Sequence, residues 1–187
     1  MHAMTILGSP RRHGNTSLAL TWLEEEIEAA GWTVDHVNIQ EHRIGHCRES
    51  HQCRYPEANA CGTADDAASL FERMLAADLV VFASPVFCWG FPAPLKAFLD
   101  RLYCLAGYHD GVDSAIRLTG KKIALLSTCG GPADDNADIM EKAFRNMVVF
   151  WNASDAGFLL FSGCDDTTAL GDEAEARARA FAQGLTA

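Results

Sequence analysis

A chain of 187 residues, 49% apolar and 21% charged, holds enough material for one buried core and shows no bias toward disorder. Its formal net charge of −10, from 25 acidic against 15 basic residues, argues against the broad basic face that nucleic-acid binding needs. No apolar run approaches bilayer-spanning length, and Met1-His2-Ala3-Met4 leads straight into a strand-like run, so we expect no membrane span, no targeting peptide and a cytoplasmic location.

Strand-like and helical patterns alternate along the chain. Apolar runs at residues 3–7, 33–37, 79–83, 122–127 and 156–161 are short, rich in Val, Ile and Leu, and bounded by turn residues, as expected of strands buried on both faces. Leu20, Leu23, Ile27 and Ala30 recur at helical spacing and Gly31 supplies a stop; further helices are expected over 64–76, 92–102, 133–149 and 172–183. No repeat or interdomain linker interrupts the pattern, so residues 1–187 read as a single α/β domain with a parallel sheet. Five strands suit the doubly wound order 2-1-3-4-5 better than a six-stranded sheet, and ligands of such folds collect at the strands' carboxyl ends. The loops of interest therefore begin at Gly8, Asn38, Ser84, Thr128 and Ser162.

The first of these reads "GSPRRHGNTSLAL" from Gly8 to Leu20. It lacks the dinucleotide fingerprint G-x-G-x-x-G, because position 10 is proline, and it lacks the P-loop lysine, because Asn15 and Thr16 follow Gly14. Ser9, Thr16 and Ser17 supply hydroxyls, Asn15 an amide and expected N-cap, and Arg11 and Arg12 a local basic spot. Such a set suits a terminal monophosphate held at a helix N-terminus. The same residues also make an ordinary polar turn between strand and helix.

A second stretch, "ADLVVFASPVFCWGFPAPLKAFLDRLY", follows the third strand. Together the two stretches resemble the NAD(P)H-dependent FMN reductase family of flavodoxin-like proteins, which carry G-S-x-R-x-x-G-N-T after strand one. After strand three they carry S-P-[VI]-[YF]-x-x-x-x-[PS]-x-x-[LM]-K-x-[FL]-[LI]-D-R. The resemblance implies a flavodoxin-like three-layer sandwich that binds FMN. By it, Ser9, Arg11, Gly14, Asn15, Thr16 and Ser17 hold the phosphate, and Pro85, Val86, Phe87, Cys88, Trp89 and Gly90 run along the ribityl chain and ring. Thr128, Cys129, Gly130 and Gly131 form a third loop near the far end of the ring. Hydride would come from NADH or NADPH, and the acceptor would be a flavin, a quinone or another small molecule, with no side chain needed as acid or base. A homodimer, or a dimer of dimers, is also implied, with the helix carrying Lys96, Asp100 and Arg101 at the interface. The alternative is an electron carrier with protein redox partners, as in the iron–sulfur flavoprotein branch.

The flat, largely apolar isoalloxazine calls for aromatic surface and backbone donors, which Phe87 and Trp89 beside Gly90, and Gly130-Gly131, can provide. Phe91 fits core or dimer packing better. Lys96 and Asp100 form an i, i+4 pair that stabilises their helix.

After the second strand, "IGHCRESHQCRYPEANACGTADD" holds Cys47, Cys53 and Cys61. Relatives in the iron–sulfur branch carry four cysteines here, but Ser50 stands at the second position, and serine is a poor ligand for a cluster. A zinc site with His46 or His51 as fourth ligand has no familiar spacing. A metal-free loop is expected, with the cluster and the zinc site as alternatives. The seven cysteines include no C-x-x-C pair and are expected to be reduced thiols. Cys88 and Cys129 have no evident activating partner and are expected to pack. The acid pairs Asp65-Asp66, Asp134-Asp135 and Asp165-Asp166 are expected to cap helices or to be solvated.

Overall fold

The computed structural model of the chain describes residues 1–54, 63–105, 108–109, 112–113, 117–165 and 170–187. Five parallel strands, β1 (His2–Leu7), β2 (Thr33–Asn38), β3 (Leu79–Pro85), β4 (Lys122–Thr128) and β5 (Ser154–Phe161), form one sheet. Their order is β2-β1-β3-β4-β5, the doubly wound arrangement expected from the strand count. The helices are α1 (Asn15–Ala29), α2 (Ala67–Ala76), α3 (Ala93–Arg101), α4 (Asp138–Phe150) and α5 (Asp172–Thr186).

Period-two alternation in the central strands divides the core into two layers. Met4 and Ile6 of β1, Val80 and Phe82 of β3, and Ile123 and Leu125 of β4 face α2, α3 and α4. Ala3 and Leu7, Leu79 and Val81, and Ala124 and Leu126 face α1 and α5. Both faces of these three strands are thus covered, which is why their sequences read as continuous apolar runs.

The edge strands depart from that expectation. In β2 only Val37 is buried, and Asp35 and His36 reach partners on neighbouring helices. The first half of β5 is polar, and a register shift at Ile123/Ala124 sets it off from β4. An edge strand has one free side, so half of its residues face water or charged side chains.

Helix α1 buries Ala19, Leu20, Leu23 and Ile27 and stops at Gly31, which adopts φ +83. There Gly31 N donates to Glu28 O and Trp32 N donates to Ile27 O, a Schellman closure that needs a residue tolerant of left-handed backbone. Two expected helix starts are too early. Helix α2 begins at Ala67, where the Asp65 carboxylate accepts from Ala67 N. Helix α4 begins at Asp138, because Asp134 is extended and Asp135 left-handed, and the Asp138 carboxylate accepts from Asn136 N. The expected helix 92–102 ends at Arg101 and passes into a 3-10 turn, Leu102–Leu105. A short antiparallel pair, Tyr108–His109 with Val112–Asp113, has no counterpart in the sequence reading. Among the described residues no helix is long and apolar enough to cross a membrane.

Candidate functional site

The chain runs outward from β1 to β2 and then crosses to β3, so the loops after β1 and β3 part at the carboxyl end of the sheet. Gly8 N donates to Ala83 O and extends the ladder by one step before the loops separate. A Cβ on Gly8 would come within 2.5 Å of Leu95 Cδ2, so only glycine lets α3 pack this closely beneath the first loop.

The parting loops enclose a cavity of about 230 Å³. Ser9, Pro10, Arg11, Gly14, Asn15 and Thr16 form one wall, Pro85, Val86 and Phe87 another, and Thr128, Cys129 and Gly130 a third. The loop after β5 adds Cys164 and Asp165. Hydrogen bonds between loops fix these walls: Val86 N donates to Thr128 O, Cys129 N to Phe161 O, and Cys164 N to Cys129 O. Thr16 Oγ1 and Thr128 Oγ1 share a buried bond of 2.7 Å.

The first wall is rich in hydrogen-bond donors. Helix α1 starts here, its N-cap is Gly14 rather than the expected Asn15, and its first turn carries no acid. Helices α2 and α3 likewise have no acid in the first turn, whereas α4 and α5 carry their own carboxylates there. What sets α1 apart is that its positive end opens into the cavity, beside the buried hydroxyls of Ser9 and Thr16 and the Arg11 guanidinium. Arg12 does not join them; it turns away to Glu41 at 3.1 Å. Ser17 lies just behind the wall, where its hydroxyl accepts from Gly14 N and donates to Gly14 O.

The second wall opens outward. Phe87 and Gly90 exchange backbone hydrogen bonds of 2.9 and 3.0 Å, which closes a turn through Cys88 and Trp89. Both central residues have positive φ, the geometry of a type I′ turn. Cys88, Trp89 and Gly90 lie on the rim and do not line the cavity. Phe87 and Trp89 are 49% and 56% exposed, which leaves an aromatic surface bare beside the opening. Trp89 Nε1 donates to Asp135 O at 3.0 Å and ties this rim to the loop after β4. Gly131 lies outside the cavity too, and Phe91 packs against the core as expected.

The thiols of the third wall are not poised for attack. Burial pushes Cys129 and Cys164 up, and the Asp165 carboxylate pushes the same way. Each thiol donates to backbone carbonyls, Cys129 to Gly131 O and Cys164 to Phe161 O. Cys164 and Asp165 escaped the sequence reading. Their loop was among those flagged by position, but nothing in their residue types set them apart from an ordinary turn.

The acid pairs behave differently from one another. Asp65 is buried against Arg101 at 2.5 Å and is not solvated. Asp134 and Asp135 form the irregular turn before α4. Asp165 lines the cavity, and Asp166 lies outside the described residues. Lys96 and Asp100 form the expected pair along α3. Of the cysteine loop, Cys47 and Cys53 line a separate hollow with Glu49, Ser50, His51, Asp100 and Tyr103. Cys61 lies outside the described residues, and among those described no three His, Cys, Asp or Glu side chains gather around one point.

The strand order and the cluster of loops at the carboxyl ends of the strands define a doubly wound, flavodoxin-like protein. Residues 1–156 match the family described as NADPH-dependent FMN reductase, and the chain belongs to that family. It is 35% identical over 102 residues to an iron–sulfur flavoprotein of Archaeoglobus fulgidus, an alignment covering 54% of this chain and 46% of that protein. With an FMN-dependent NADH:quinone oxidoreductase of Stenotrophomonas maltophilia the identity is 28% over 138 residues, 71% of this chain and 68% of the other. The chain spans about half the length of the iron–sulfur flavoproteins it matches. A solved azoreductase from Bacillus anthracis superposes with a TM-score of 0.71 at 17% identity, covering 100% of this chain and 99% of that one, and so shares the fold.

Proposed function

We propose that the chain is an FMN-dependent oxidoreductase that takes hydride from NADH or NADPH and delivers electrons to a flavin, a quinone or another small acceptor. One observation carries the reading: a helix N-terminus free of acids opens into a cavity beside buried hydroxyls and an arginine, with bare aromatic surface at its edge. That donor set fits a phosphate, and the aromatic rim fits a flat ring next to it.

In this reading Ser9, Arg11, Gly14, Asn15 and Thr16 hold the phosphate, and Ser17 fixes the turn that aims Gly14. Pro85, Val86 and Phe87 face the ribityl chain and the near side of the ring. Cys88, Trp89 and Gly90 shape the rim on which the donor and acceptor lie, and Thr128, Cys129, Gly130 and Gly131 bound the far side. FMN held by these residues would supply the redox chemistry, a hydride acceptor and electron donor that no side chain here provides. The protein orients both reactants and limits water at the contact, and no side chain moves a proton at a committed step.

The reading includes a homodimer, with the surface around α3 toward the partner copy, and a cytoplasmic location, where thiols remain reduced. The protein should keep a yellow colour after incubation with FMN and desalting, and the colour should bleach on anaerobic mixing with NADH or NADPH. Protein that retains FMN but is bleached by neither nucleotide would be a carrier and not a reductase.

A further inference from the structure

Resting on the FMN reading above, we propose that Asp165 is a specificity-determining residue whose carboxylate accepts hydrogen bonds from the hydroxyl-bearing chain beside the ligand's phosphate. Among the described lining residues, Arg11 and Asp165 are the only charged side chains. Among the described residues no ion pair neutralises either of them.

Hydrogen-bond accounting assigns Asp165 its role. The wall at α1 offers backbone N–H groups, a guanidinium and hydroxyls, all able to donate. An ionised carboxylate only accepts. A cavity with donors along one wall and a pure acceptor on another suits a ligand that is acceptor-only at one end and carries O–H groups next to it. A phosphate ester of a polyol has that pattern, whereas inorganic phosphate has no polyol hydroxyls to offer Asp165.

Size narrows the choice of ligand group. The cavity of about 230 Å³ lies below the range of roughly 300–1,000 Å³ typical of small-molecule sites. It therefore takes the phosphate and the chain attached to it, and leaves a ring outside against Phe87 and Trp89. Asp165 is an exposed residue at the mouth of the cavity, and its carboxylate sits against the loop after β4. A Cβ on Gly130 would come within 2.2 Å of Asp165 Oδ1, so in this arrangement the carboxylate lies directly against Gly130, on the loop after β4. Cys129 and Cys164 line the same end of the cavity as Asp165.

The test is a set of equilibrium titrations on purified apoprotein with three probes: inorganic phosphate, ribitol 5-phosphate and FMN. In the Asp165→Ala variant both polyol phosphates should bind about tenfold more weakly, the loss expected for a hydrogen bond to a charged acceptor, while inorganic phosphate binds equally well or more tightly. Asp165→Asn, which keeps an acceptor oxygen, should lie between. Tightening of all three probes would show that the carboxylate only repels, and would overturn the proposal. A loss confined to FMN would move the contact to the ring, and would overturn it too. Wild-type protein that binds none of the probes would instead bring down the FMN reading itself. Thiol modification with a disulfide reagent gives an independent check: Cys129 and Cys164 should react faster in Asp165→Ala, and an unchanged rate would place the carboxylate elsewhere and sink the proposal.

Discussion

Thr16 Oγ1 and Thr128 Oγ1 meet at 2.7 Å in a buried hydrogen bond that joins the first turn of α1 to the last residue of β4. Loops that are far apart in sequence become one wall through this contact. Either single change to valine strands a buried hydroxyl, and should cost about 1–3 kcal/mol of stability in urea unfolding. The double Thr16→Val/Thr128→Val variant should recover most of that stability, because no orphan remains. FMN affinity, followed by flavin fluorescence, should be lower than wild type in the double variant, since Thr16 and Thr128 both line the cavity and neither keeps its hydroxyl. Full recovery of FMN binding alongside stability would make the contact a packing feature only.

Arg101 and Asp65 make a second long-range contact with a different purpose. Their side chains are 0% and 3% exposed, and Asp65 also accepts from Gly45 N and Ala67 N. Asp66 adds a further tie by accepting from Arg43 N, so the ends of the cysteine-bearing excursion are fastened together. Arg101→Met leaves the Asp65 charge buried without its guanidinium and should destabilise the fold by about 3–5 kcal/mol. Asp65→Asn in the same background should restore part of the loss.

The acid limb of the stability curve follows from the same pair. Burial raises the Asp65 carboxyl, but the hydrogen bonds from Arg101, Gly45 and Ala67 and the guanidinium charge outweigh it, so the net direction is below the ordinary 3.8. A lowered carboxylate contributes stability above its unfolded value and loses it as pH falls through the folded one. Asp65→Asn should therefore flatten the decline in unfolding free energy below pH 3.8. An unchanged acid limb would assign the loss to other carboxylates.

On the edge strand β2, His36 binds Glu24 of α1 at 2.7 Å. The Glu24 hydrogen bond raises the imidazole above its ordinary 6.5, burial opposes it, and the Glu24 charge adds to the rise. For a raised histidine, the stabilisation is fully present below the unfolded value of 6.5 and is lost as pH climbs through the higher folded value. Wild-type protein should lose stability across that window, and His36→Gln should not. Thermal melts from pH 6 to 8.5 check the difference.

The sequence was most legible where local chemistry and topology agree. The three central strands announce themselves because both of their faces are covered, and Gly31 marks a helix end because the closure there needs positive φ. The first loop could be recognised because its hydroxyls, glycine and arginine lie within a few residues of one helix start. The place of Asp165 in the cavity wall was not legible, since it depends on the loop after β5 lying against Gly130, and a carboxylate in a polar turn looks like any other. Arg12 misled for the converse reason: adjacency to Arg11 does not fix direction, and Glu41 draws it away. The late start of α4 was hidden as well, because Asp134 and Asp135 resemble a helix-capping pair and instead kink the chain.

That kink supports the outer rim of the site. Trp89 has φ 62, Cys88 has φ 47, and the indole is held by the Asp135 carbonyl, itself on a residue with φ 55. Left-handed backbone at non-glycine residues costs on the order of 1 kcal/mol or more each, so the turn is kept at some expense to stability. Trp89→Gly removes that cost at one position, and also removes the aromatic surface and the bridge to Asp135. Stability should be unchanged or higher by up to about 1 kcal/mol. FMN affinity should change little, because Trp89 does not line the cavity. The KM for a quinone acceptor should rise severalfold, since the acceptor loses the wall beside it. Trp89→Phe, which keeps a ring but gives up the bond to Asp135, should raise KM less. A Trp89→Gly variant with wild-type KM would show that acceptors approach from another side of the opening.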